Sequence, residues 1–103
     1  MRKIIALAAC LVSAGPALAA MEYDQIRGLG KVIAYEGICG LTYDQAAITA
    51  FIEANTPADD LEFLSTLELA LSIADSETPP AGSARTAMCA QIRQLARTHG
   101  FVD

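Results

Sequence analysis

Cys39 and Cys89 restrict this chain more than any other pair of residues, because the segment in front of them reads as an export leader. Met1-Arg2-Lys3 is cationic and Ile4 to Val12 is apolar. Gly15-Pro16 breaks the run, and Ala17-Leu18-Ala19 is an A-x-A cleavage pattern. Cleavage is expected after Ala19, with Ala20 as the alternative. Leu7-Ala8-Ala9-Cys10 also fits a lipoprotein box that would lipidate Cys10, but only Ile4-Ile5-Ala6 separates it from Lys3, too short an apolar segment to insert well. The apolar run of the leader is shorter than the roughly 20 apolar residues a membrane span takes, and no later run qualifies. The expectation is a periplasmic or secreted protein with no stable membrane insertion after cleavage.

Processing would leave residues 20–103 as a single small domain and would remove Cys10. An even pair of cysteines in an exported chain reads as a disulfide, and with two the pairing Cys39–Cys89 is forced. A redox-active pair would more often stand as C-x-x-C. Closing a loop of roughly 50 residues stabilises a fold by about 4 kcal/mol on the chain-entropy treatment. For a domain near the lower size limit of a self-sufficient core, that is a large fraction of the total.

Helical periodicity recurs four times and no strand pattern is present, so the expected fold is all-α: a small four-helix domain, orthogonal or bundle-like, with one disulfide. The first helix is expected from Tyr23 to Glu36, with Ile26, Leu29 and Ile33 inward. Gly28 and Gly30 weaken it by about 1 kcal/mol each relative to Ala. A phosphate loop is a poor explanation for them, since no strand precedes; simple tolerance or close helix–helix approach fits better. The second helix is expected to open at Thr42, with Thr42 and Gln45 as a capping box. Ala47, Ile48, Phe51 and Ile52 form its buried face. Thr56 is expected to cap the third helix, with Pro57 in its first position and Asp59 and Asp60 in its first turn. That helix runs to Ala74 and is the most apolar. Leu61, Leu64, Leu67 and Leu71 make a row that Phe63, Ala70 and Ile73 widen, so it is expected to be central, with an exposed apolar client groove as the alternative. Ser83 is expected to cap the fourth helix, which turns Ala84, Met88, Ile92, Leu95 and Ala96 inward and ends at His99. Gly100 stops it, and Phe101 and Val102 fold back.

Charge excludes one class of function. The whole chain has 12 acidic and 7 basic residues, and processing would also remove Arg2 and Lys3, so a nucleic-acid partner is not expected. No Lys or Arg lies between Val32 and Ala84, while Arg85, Arg93 and Arg97 follow that acidic stretch. The arginines are candidate contacts for an acidic protein partner; pairing with the acidic middle helices is the structural alternative. No enzyme activity is expected. His99 is the one histidine and reads as a cation at a helix C-terminus. No nucleophile, zinc or haem motif is present, so neither a cofactor nor a metal site is expected. The cluster Asp59, Asp60 and Glu62 lacks the glycine turn of a calcium loop.

The leader, the Cys39/Cys89 pair and the helices between them resemble the small periplasmic acid-stress chaperones of the HdeA type. That resemblance implies binding of unfolded clients in acid. This chain differs in having Lys31 as its one lysine after cleavage, where those proteins are lysine-rich. The stretches Cys39 to Ile52 and Cys89 to Phe101 also resemble small exported bacterial proteins with no assigned role. Acid would neutralise the carboxylates while the basic groups and His99 stayed charged, turning the net charge positive and loosening the helices within the tether. A partner-specific inhibitor, immunity or accessory module is the alternative.

Overall fold

The computed structural model describes residues 19–103. Cys10 and all of the expected leader except Ala19 lie outside the described residues. Four helices follow in order: α1, Tyr23–Ala34; α2, Gln45–Asn55; α3, Leu61–Ser76; and α4, Gly82–His99. No strand occurs among the described residues, and none of their helices is long and apolar enough to cross a membrane. The all-α fold follows the sequence pattern.

Cys39 and Cys89 are joined as expected, with Cα atoms 5.3 Å apart. Cys39 sits in the turn after α1, where its N–H donates to the Tyr35 carbonyl at 2.9 Å. Cys89 lies in the first half of α4. The bond therefore ties the exit of α1 to the last helix, and the loop it closes contains α2 and α3.

Three helix starts differ from expectation, and in one case a buried tyrosine is the reason. Tyr43 is 3 % exposed. Its hydroxyl donates to the Val32 carbonyl at 2.7 Å, one of the acceptors that the end of α1 leaves without an intrahelical partner. Its backbone N–H donates to the Glu36 carboxylate at 2.7 Å. Held at both ends, Tyr43 keeps the chain out of helix until Gln45. Asp44, not Thr42, is the cap, with its carboxylate accepting from the N–H groups of Ala46 and Ala47. Gln45 donates to the Tyr43 carbonyl instead of completing a box with Thr42.

Thr56 likewise does not cap α3. It is the extended residue that ends α2, buried with its hydroxyl 3.9 Å from the Met21 sulfur. Pro57 opens a separate turn closed by the Asp60 N–H to the Pro57 carbonyl at 3.2 Å. α3 then starts at Leu61, capped by the Asp60 side chain on the Phe63 N–H. Asp59 thus precedes the helix, and Glu62 alone supplies acid in its first turn. α4 begins one residue before Ser83, with Ala81 at the cap and no side-chain cap bond. Its other end is as expected. Gly100 adopts φ 85°, a left-handed conformation that glycine takes without a Cβ penalty, and the Phe101 N–H reaches back to the Ala96 carbonyl at 2.8 Å. Phe101 is 1 % exposed.

The centre of the fold is α1, not α3. α1 buries Ile26, Leu29, Gly30 and Val32, and the turn after it buries Tyr35. Ile33, expected inward, is half-buried. α3 lies along α1, and their contacts advance in the same direction. Met21 meets Thr56 just before α3, Gly30 faces Ala70, and Ala34 and Ile38 share a groove with Ala74 and Pro79. A Cβ added at Gly30 would stand 2.7 Å from the Ala70 Cβ. Close approach therefore explains Gly30. At Gly28 an added Cβ would meet nothing within 4 Å, so no close contact requires that glycine.

The Gly30–Ala70 contact dictates which face of α3 is buried. Small residues must face α1 for the backbones to approach, so Phe63, Ala70 and Ala74 turn inward, with Leu67 packed against the core. Those positions are spaced four, three and four residues apart, one side of a helix. The expected inward row of Leu61, Leu64, Leu67 and Leu71 is therefore wrong in its first half. Ala84 is also exposed rather than inward.

Candidate apolar face on helix three and the histidine cluster

Once Phe63, Ala70 and Ala74 point at α1, the remaining large side chains of α3 face water. Leu61 is 77 % exposed, Leu64 56 %, Leu69 52 % and Ile73 37 %. Exposed leucines are ordinary when scattered; four on one sixteen-residue helix are a feature to explain. Glu62, Glu68 and Asp75 are exposed on the same helix. Its solvent surface thus combines aliphatic side chains with carboxylates and no cation. Leu69 was missed in the sequence because it stands outside the leucine row. Its signal is the Leu69–Ile73 spacing of four, which falls away from the Phe63–Ala70–Ala74 stripe once small residues are taken to mark the contact.

The three candidate arginines lie on α4. Arg85 is exposed, and its Nε donates to the Pro80 carbonyl at 2.9 Å. Arg97 is exposed, and its Nε donates to the Asp103 carbonyl at 3.0 Å. Arg93 is half-buried one turn before Arg97. The structure places Arg93 and Arg97 on neighbouring turns and Arg85 two turns earlier, in the exposed first part of the helix. Among the described residues the one ion pair is Lys31–Glu77, at 3.7 Å. The arginines therefore do not pair with the acids of α2 and α3, and the charge separation along the chain is not cancelled within the fold.

His99 ends α4 as expected, but its ring packs among aromatic side chains instead of standing free as a cation. Its ring lies 4.4 Å from that of Phe51 and 5.4 Å from that of Phe101, centroid to centroid, and Phe101 in turn packs on Tyr43 at 5.5 Å. Burial among these rings disfavours the imidazolium and lowers the His99 pKa from its ordinary 6.5. The imidazole is mainly neutral at pH 7. Above 6.5 the folded and unfolded chains both carry it uncharged. As pH falls below that value the unfolded chain takes the proton first, so stability falls until the lower folded value is passed. The urea midpoint is expected to drop as pH is lowered below 6.5, and His99→Phe, which keeps a ring in the cluster, is expected to flatten that part of the profile. Burial also acts on Tyr43, whose pKa is raised by desolvation first and by the Glu36 carboxylate second.

No group of three or more metal-ligating side chains is assembled among the described residues. Comparison with protein-family models, with curated proteins and with solved structures gives no match to this chain.

Proposed function

We propose that this is an exported, non-enzymatic binding protein that presents the outer face of α3 to apolar segments of unfolded protein chains. The observation that carries the reading is the exposure of Leu61, Leu64, Leu69 and Ile73 on a helix whose other side is fully committed to α1. A leucine lying on water gains about 25 cal/mol for each Å² of apolar surface covered by a client. Glu62, Glu68 and Asp75 keep that face soluble when empty. Export rests on the leader pattern, and a disulfide is compatible with an oxidising compartment. The face is open in the folded chain, so binding does not require acid to uncover it; acid would add to it by removing the carboxylate charges that border it.

The test is suppression of aggregation of chemically unfolded citrate synthase, followed by light scattering at pH 7. The native protein is expected to suppress scattering near equimolar ratio. The double substitution Leu61→Asp, Leu64→Asp, at two exposed positions, is expected to raise the amount required about tenfold, equivalent to about 1.4 kcal/mol, without lowering the melting temperature. Equal potency of the two proteins would contradict the reading.

A second reading, a module for one specific partner, is favoured by the uncancelled charge separation between the acidic α2–α3 region and Arg85, Arg93 and Arg97, because complementary fields give specificity. A single saturable partner, bound with strong salt dependence and unaffected by the α3 double substitution, would favour it over the first.

A further inference from the structure

The described residues contain a second feature that the α3 face does not use. A cleft of about 510 Å³ opens between α1, α2 and α4, within the range of roughly 300–1,000 Å³ typical of small-molecule sites. Leu29 and Val32, both nearly inaccessible, contribute to its lining from α1. Phe51 contributes from α2 and Leu95 from α4. The polar side chains on the lining are Gln25, Asn55 and His99, and no Asp, Glu, Lys or Arg is among them. His99 packs against the rings of Phe51 and Phe101, which also pack on each other, and the Asn55 amide donates to the Phe51 carbonyl at 2.7 Å. These groups are positioned by contacts within the protein before anything binds.

Gly28 supplies an independent indication. It lines the same cleft, and a Cβ there would meet nothing within 4 Å. Packing gives no reason for glycine at this position, and its presence in α1 costs about 1 kcal/mol of helix stability relative to Ala. What the missing side chain does is leave the cleft wider. Gly30, two residues on, has a packing reason and lies against α3 instead.

We infer that the cleft between α1, α2 and α4 is a binding site for a small, uncharged, predominantly apolar molecule that carries a hydrogen-bonding group at one end. The uncharged wall sets the class: an ionic ligand would lose hydration there without a counter-charge, whereas Gln25, Asn55 and His99 offer amide and imidazole partners to a neutral polar end. Ala19 and Ala20 form part of the edge and are exposed; cleavage after Ala19 would remove the first and leave the new amine on the second, at the rim and outside the uncharged helical walls.

The probe is the uncharged dye N-phenylnaphthylamine, whose fluorescence rises in apolar surroundings, compared with anilinonaphthalene sulfonate, which carries an anionic group on the same skeleton. The natively isolated chain is expected to bind the uncharged dye at one saturable site and the sulfonate at least about tenfold more weakly. Gly28→Leu, which puts a side chain into open cleft space, is expected to weaken the uncharged dye by about tenfold or more, while Leu64→Asp on the outer face of α3 leaves it unchanged. In the unsubstituted protein the dye is expected to shift the methyl resonances of Val32 and Leu95. Absence of saturable binding, equal affinity for the sulfonate, loss on Leu64→Asp in place of Gly28→Leu, or unshifted Val32 and Leu95 methyls would each overturn the assignment. Because the two substitutions address different surfaces, failure here is distinguishable from failure of client binding at α3.

Discussion

Reduction of the Cys39–Cys89 bond is expected to lower the stability of the folded chain by about 4 kcal/mol, the entropy returned to the unfolded state when a loop of roughly 50 residues is reopened. The expectation is large because the rest of the fold is slight. Eleven hydrophobic residues are buried among those described, and three of them, Ala70, Ala74 and Ala96, are alanines. Domains of this size commonly hold only about 5–10 kcal/mol in total. The bond joins the turn that follows α1 to α4, so its loss leaves α4 held to the core by its packed side chains, Ile92 and Ala96 among them, alone. Urea unfolding of the oxidised protein against the reduced protein, and against Cys39→Ser with Cys89→Ser, measures the difference. Both cysteines are half-buried, so a small phosphine reductant has access. Coincident midpoints for oxidised and reduced protein would mean that the tether does not support the fold.

Gly30→Ala and Gly28→Ala are expected to act in opposite directions, although the glycines stand two residues apart in one helix. At Gly30 the new methyl would lie 2.7 Å from the Ala70 Cβ, closer than two carbons pack. α1 and α3 would have to separate, loosening Phe63 and Ala74 with them. Overpacking of this kind costs about 1–3 kcal/mol, more than the gain of about 1 kcal/mol in helix propensity. At Gly28 the methyl meets open space, and the propensity gain of about 1 kcal/mol stands unopposed. Ala70→Gly in the Gly30→Ala background restores the missing room and is expected to recover part of the loss, less the helix cost of a new glycine. Thermal melts of the four proteins check the set. Destabilisation at both glycines, or at neither, would contradict the packing of α1 on α3.

Those two glycines also show how far the sequence could be read. The pattern spoke against a phosphate loop at Gly28 and Gly30 and left tolerance and close approach open, because which glycine is in contact depends on the rotation of α1 against a helix forty residues away. The same rotation governs α3. Leucine is the more hydrophobic residue, so the row Leu61, Leu64, Leu67, Leu71 looked inward. In the structure the smaller Ala70 and Ala74 take the interface because backbone proximity at Gly30 leaves no room for leucine. The disulfide and the stop at Gly100 were legible, since each depends on local chemistry: a forced pairing, and a left-handed residue followed by Phe101. The caps at Asp44 and Asp60 were displaced by tertiary bonds and a turn. Tyr43 reaches eleven residues back to Val32, and Pro57 spends its own turn before α3 begins. The lowered pKa of His99 depends on burial among rings that meet it in space. The three arginines were legible as a cationic segment, and the structure leaves them unpaired with the acids of α2 and α3.

The most direct measurement of the binding face is an amide-resolved NMR titration of the isotopically labelled protein with an unfolded client at neutral pH. Shifts and line broadening are expected to concentrate at Leu61, Leu64, Leu69 and Ile73 and the carboxylates beside them, with the Gly30–Ala70 contact undisturbed. Perturbation confined to Arg93 and Arg97 on α4, or no perturbation on α3 at protein-to-client ratios at which aggregation is suppressed, would contradict binding through the outer face of α3.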